Sequence, residues 1–117
     1  MQAPLEHIRL SNAARDELIK LKRTTGIDQW NVYCRWAFCL SVADSSRLHN
    51  RKIPADSNVE ISWKVFAGQF EAAYLALLIQ RCYKDRVPIT QPNLAQQLRL
   101  HIHRGIFSPQ LKSLLSS

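Results

Sequence analysis

Cysteine, histidine, carboxylate and glycine are the residues through which a chain of 117 residues could do covalent, metal or nucleotide chemistry. The three cysteines, Cys34, Cys39 and Cys82, are an odd number in apolar surroundings, and no C-x-x-C pair suggests a zinc site or a redox motif. On a helix Cys34 and Cys39 would point about 140° apart at 3.6 residues per turn, so all three are expected to be small buried hydrophobes. Only Cys34 beside Arg35 and Cys82 beside Arg81 have a cation next in sequence, and sequence neighbours on a helix diverge, which makes a nucleophilic thiol a poor reading. His101 and His103 form an H-x-H pair whose rings would lie about 200° apart on a helix; the expectation is one packed and one solvated histidine and no metal site. The carboxylates are scattered, so no acid–base pair is visible. Gly26, Gly68 and Gly105 form no phosphate-cradling loop. Neither a catalytic constellation nor a cofactor is expected.

What remains is charge. Lys and Arg number 16 against 9 Asp and Glu, a net +7. The first 44 residues, with six basic and five acidic side chains, nearly cancel, as do residues 56–85 with three and four. The surplus sits in two places. One is the segment Ser45 to Ala55, which has Arg47, Arg51 and Lys52 and no acid, with His49 among them; the other is the tail carrying Arg86, Arg99, Arg104 and Lys112. A further local cluster is Lys20, Lys22 and Arg23. Unpaired like charges repel and are kept either for solubility or for an anionic partner such as nucleic acid. Lys20, Lys22, Arg23, Arg47, Arg51 and Lys52 are therefore the candidate phosphate contacts, and a merely solvated basic surface is the alternative.

The elements that must position these residues are mostly helical. Ile8 and Leu10 suggest a short strand or extended arm. Ser11 is placed to cap a helix with Ala14, Leu18 and Leu21 on one face, ended by Gly26. Its last turns carry Lys20, Lys22 and Arg23, where cations also complement the helix dipole. Asp28 is placed to cap a second helix over Trp30 to Ala43, apolar on nearly every side and so expected to be buried all round, which one small chain achieves only by self-association. The polar stretch Asp44 to Asn58 reads as a long exposed loop. Val59, Ile61 and Trp63 alternate as in a short extended piece, and a third helix follows with the stripe Phe66, Phe70, Ala73, Tyr74 and Leu77, widened by Leu75, Leu78 and Ile79. Pro92 suits the first position of a fourth helix through Leu94, Leu98 and Ile102 to Gly105. A last short helix is expected from Pro109. The fold class is mainly α: one domain over residues 1–117, a helical bundle of four to five helices with a short N-terminal strand, oligomeric. No stretch reaches the roughly 18 uncharged apolar residues of a membrane span. The first ten residues lack the pattern of a signal peptide, so a cytoplasmic protein is expected.

The strand–helix–Gly26–helix order resembles the start of ribbon-helix-helix proteins, in which His7 and Arg9 would face outward from paired strands in the major groove. A broader resemblance is carried by IRLSNAARDELIKLKRTTGIDQWNVYCRWAFCLSV from Ile8 to Val42, PADSNVEISWKVFAGQFEAAYLALL from Pro54 to Leu78 and QLRLHIHRGI from Gln97 to Ile106, with unusual strings such as WNVYCRWAFC and SNVEISWKVF. Together they resemble the DndE family of small DNA sulfur modification proteins. That resemblance implies a part in bacterial DNA phosphorothioation, in which sulfur replaces a non-bridging phosphate oxygen. It places the sulfur chemistry on a cysteine desulfurase and an iron–sulfur, ATP-pyrophosphatase-like partner, with an ATPase of the chromosome-maintenance type alongside. This chain would then be the oligomeric DNA-binding component, tetrameric and directed to nicked duplex DNA, or else a protein–protein scaffold of the complex. The resemblance also carries an association with carboxyaminoimidazole nucleotide synthetase, against which the missing nucleotide loop and short chain argue. It assigns no catalytic residue.

Overall fold

A computed structural model describes residues 3–116 of the chain; Met1, Gln2 and Ser117, including the start of the segment read for a signal peptide, lie outside them. The strand β1 (His7–Arg9) leads into α1 (Asn12–Thr25) and α2 (Trp30–Ala43), after which a long loop returns the chain to β2 (Glu60–Ser62). There follow α3 (Trp63–Ala67), a 3-10 turn (Gly68–Phe70), α4 (Glu71–Lys84), α5 (Gln91–Ile106) and α6 (Pro109–Ser116). The architecture is mainly helical, with a short two-stranded sheet at the N-terminal end. No helix among the described residues is long and apolar enough to cross a membrane.

β1 finds its partner within the same chain. It pairs antiparallel with β2, His7 opposite Ser62, Ile8 opposite Ile61 and Arg9 opposite Glu60, so the ribbon that two copies of a ribbon-helix-helix protein would build is made here by two segments of one chain. Ile8 and Ile61 face inward, and Arg9 and Glu60 pair across the strands at 3.2 Å. Ser11 then caps α1, its hydroxyl accepting from the Ala14 amide, and Gly26 closes it through a bond to the Lys22 carbonyl. α2 is not capped by Asp28. Gln29 occupies the cap position without a side-chain bond, and the Asp28 carboxylate instead takes Lys22 at 3.3 Å.

The third expected helix is divided. Gly68, with φ +58°, a backbone conformation that few side chains tolerate, turns the chain between α3 and α4. The turn resets the helical phase, so α4 buries Leu75 and Leu78 from the widened stripe together with Arg81 and Cys82, while Phe70, Ala73 and Leu77 of the expected stripe lie exposed. Within the single chain α2 is not buried all round: Trp36 is 42% exposed, on the side that the expected self-association would cover, and Cys39 is exposed rather than buried with Cys34 and Cys82. Pro92 sits one residue inside α5, whose cap is the Thr90 hydroxyl accepting from the Asn93 amide.

The core lies between α2 and α5 and closes on the sheet, with Tyr33 and Phe38 meeting Leu98, Ile102, Phe66 and Ile8. Phe38 and Phe66 stand edge to face with ring centroids 5.7 Å apart. The two central helices touch backbone to backbone at Gly105, where a Cβ would occupy the space of the Ala37 carbonyl group. Since neither helix can yield without disturbing the whole core, Gly105→Ala is expected to lower stability by at least about 3 kcal/mol, read as the shift of a urea unfolding midpoint at unchanged slope; a shift under a third of that would show that the helices do not approach this closely.

Candidate nucleic-acid interface

The last carbonyls of a helix have no partner within it and carry its negative dipole end. α2 has no basic residue in its last turn. Its needs are met from neighbouring helices. Arg81 of α4 donates to the carbonyls of Val42 at 2.8 Å, Ser46 at 2.7 Å and Asp44, and also to the Asp85 carboxylate at 2.8 Å. Arg104 of α5 donates to the Ser41 carbonyl at 2.6 Å, the Ser41 hydroxyl at 2.8 Å and the Ser46 carbonyl at 2.9 Å. Further along the loop, Arg99 reaches the carbonyls of Arg9, Ile53 and Pro54. Asp44 adds an Asx turn: its carboxylate accepts from the Ser46 amide and hydroxyl, and these bonds hold it below its ordinary pKa. The long exposed loop is thus also fastened at both ends, with Ile53 buried as an anchor.

Both histidines of the H-x-H pair are buried, contrary to the expectation that one would be solvated. The Ser11 amide donates to His103 Nε2 at 3.1 Å, so the ring proton sits on Nδ1 and is donated to the Arg99 carbonyl at 2.8 Å. His101 Nδ1 lies 2.8 Å from the Ser41 hydroxyl, while its Nε2 is buried without a partner among the described residues. Burial pushes His101 down to about 3, helped by the positive charges of Arg104 and Arg81 against a weaker opposite pull from Asp85. Burial likewise takes His103 down to about 4. Burial also raises the two buried thiols, Cys34 to about 12 and Cys82 to about 11, and no cluster able to hold a metal ion occurs among the described residues.

This arrangement revises the charge count. Arg99 and Arg104, half of the acid-free tail's cations, are spent on backbone carbonyls, as is Arg81. Arg47, Arg51 and Lys52 are exposed on the fastened loop, and neither they nor Arg23 has a carboxylate partner among the described residues. Lys20 and Lys22 are exposed but lie 4.0 Å from Glu17 and 3.3 Å from Asp28, surface pairs of small energy that a phosphate can replace. Lys22 also lies 6.0 Å from the Trp30 ring, which places this cluster at the start of α2. The loop that carries the other cations leaves from the opposite end of α2, a helix of 14 residues and so about 20 Å long. Arg47 shares a polar cleft with Arg86, and His49 and Arg51 share a hollow with Arg104. That Arg81, Arg99 and Arg104 bind carbonyls is not legible in the sequence, because their acceptors are backbone atoms far away along the chain; only the Arg81–Asp85 spacing of four is visible beforehand.

The profile of the family described as DNA sulphur modification protein DndE matches residues 7–115. Among solved structures, the chain is similar to DndE from Escherichia coli B7A, described as involved in DNA phosphorothioation modification: the TM-score is 0.73 at 24% identity, covering 90% of this chain and 96% of that one. It is also similar to a mutant DndE described as involved in DNA phosphorothioation, with a TM-score of 0.66 and 24% identity over 87% and 93% of the two chains. At that identity the likeness speaks for the fold. No curated protein matches the chain.

The buried histidines generate a pH dependence whose sign is set. In the unfolded chain they take up protons below about pH 6.5, whereas in the folded chain they stay neutral until about pH 4 and about pH 3. The stabilisation is complete above about pH 6.5 and is lost as pH falls from there, by about 1.4 kcal/mol per pH unit for each histidine. Denaturant titrations across this window should show that slope, and His101→Phe should halve it whatever its own stability; a flat profile would contradict the neutral burial of the pair.

Proposed function

This chain belongs to the DndE family, whose members act in DNA phosphorothioation, and on that premise we propose that it is the DNA-holding accessory subunit of the modification system. It keeps duplex or nicked DNA in place through phosphate contacts while partner proteins insert the sulfur. The loop after α2 supports this reading most: Arg47, Arg51 and Lys52 stand exposed and unpaired on a backbone whose carbonyls Arg81, Arg99 and Arg104 have already fixed. Cations on an ordered segment lose less freedom when they meet phosphates than cations on a free one. The Lys20, Lys22 and Arg23 cluster, near the start of α2, forms a second contact with the backbone phosphates.

Copies of the chain associate, in this proposal, through the apolar flank of α2. There Trp36 and Phe70, 42% and 57% exposed, border a groove with Val32, Cys39 and Tyr74. Exposed aromatics rimming such a groove are typical of an interaction surface. Association would repeat both basic patches along a longer stretch of DNA.

Arg23, Arg47, Arg51 and Lys52 would neutralise about four phosphates, so log K against log salt should fall with a slope near −3.6. Replacing Arg47, Arg51 and Lys52 by Glu should weaken duplex and nicked-DNA binding by more than about tenfold and flatten that slope. Unchanged DNA retention in this variant would instead assign the loop to an acidic partner protein, with the chain a scaffold. Trp36→Asp should turn the oligomer into a monomer in sedimentation velocity at unchanged helix content; an unaltered mass would remove this face from the assembly.

A further inference from the structure

One cleft is built unlike the rest of the surface. It lies between the loop segment 47–50, the turn 85–88 after α4 and the first two turns of α5, and has a volume of about 280 Å³. Two arginines line it, Arg47 and Arg86, both exposed and neither ion-paired among the described residues. Gln97 lines it while only 9% exposed, yet its side-chain amide makes no hydrogen bond within the described chain. The Gln97 amide atoms are not sealed from solvent, so on the wall of the cleft they are open to a ligand's polar edge. Gln96 donates to the Asn50 side-chain oxygen at 2.6 Å, which leaves the Asn50 amide N–H groups available beside Gln97.

The backbone at Arg86 gives an independent sign. α4 ends in a Schellman motif, the Val87 amide bonded to the Cys82 carbonyl at 2.8 Å and the Arg86 amide to that of Tyr83 at 3.1 Å. The left-handed position of such a motif is ordinarily glycine, but here it is arginine at φ 60°. Strain of this kind persists where the side chain has a task. Asp85 is the one carboxylate on the lining; Arg81 already holds one of its oxygens at 2.8 Å and offsets its charge. Val87 and Pro88 supply apolar wall, and just outside, Tyr83 stands 81% exposed beside Lys84 and Arg86.

We propose that this cleft takes a single unstacked nucleotide: its phosphate between Arg47 and Arg86, its base edge on the amides of Gln97 and Asn50, with the neighbouring base stacked on Tyr83. A primary amide both donates and accepts, which suits the mixed edge of a base. Reading an extruded base through its hydrogen-bonding edge and apolar walls is how proteins select unpaired nucleotides, and an exposed aromatic flanked by cations is the stacking platform of single-strand binding. The inference rests on the DNA-holding function proposed above and deepens it. The loop cations hold the duplex, and the cleft recognises a strand end or unpaired residue beside it.

The test uses the full chain and compares a blunt duplex with the same duplex carrying a short single-stranded overhang, alongside free deoxyadenosine monophosphate. The wild type should favour the overhang by about tenfold, the gain from one charge-assisted phosphate contact. Arg86→Gly relieves the strained backbone and should leave thermal stability equal or higher, yet abolish that preference while blunt-duplex affinity stays within about twofold; Gln97→Met should diminish it. A wild type that binds blunt duplex without preferring the overhang, or folded variants that keep the preference, would overturn the pocket and leave the DNA-holding function standing. Free nucleotide bound by the wild type and lost in Arg86→Gly, with no DNA of any form retained, would overturn DNA holding and assign the cleft to a free nucleotide.

Discussion

Buried backbone groups must be paired, and the pairing of the carbonyls at the end of α2 organises much of this protein. α2 brings no cation to its own C-terminus, so Arg81 and Arg104 approach from α4 and α5 and surround it with charged donors. A hydrogen bond to a charged group contributes about 1.5–3 kcal/mol, and a buried acceptor left without one costs a comparable amount. Removing either guanidinium would therefore free the loop as well as weaken the core. The same interaction that stabilises the bundle fixes the start of the basic segment.

α5 is the post on which the other elements are hung. Within one turn and a half it supplies Arg99 to β1 and the far end of the loop, His101 to Ser41, His103 to the backbone of Ser11 at the start of α1, and Arg104 to the end of α2. Gly105 lets the helix lie against the backbone of Ala37, close enough for these short reaches. The two histidines serve as neutral hydrogen-bonding groups in an interior that would reject their charged forms, which is why their burial and their low pKa values belong to one fact.

The positive charge divides into two populations with different physics. Arginines that face carbonyls are buried or half-buried and structural; those that face solvent on the fixed loop and on the turn after α4 have no carboxylate partner among the described residues. The first population is not available to an anionic partner, so the net charge of +7 overstates the number of free cations and says nothing of their arrangement. Their supports, by contrast, lie in the first population, and loop order and surface potential are therefore coupled.

Much of the fold could be read from local chemistry. Ser11 and Gly26 bound α1 as their side-chain and backbone preferences require, the 8–10 alternation marks β1, and Leu94, Leu98 and Ile102 give the buried face of α5. The acid-free loop and the exposed basic residues were also legible, because solvent exposure of unpaired lysine and arginine follows from their hydration. Other features came from tertiary structure alone: the phase of α4 after the Gly68 turn, the burial of both His101 and His103, the exposure of Cys39, and the division of the arginines between carbonyls and solvent. The reason is that every residue carries a carbonyl. Sequence shows which side chains can donate, but only the packing of α4 and α5 against the end of α2 decides which acceptors they meet, and so which charges remain for a partner.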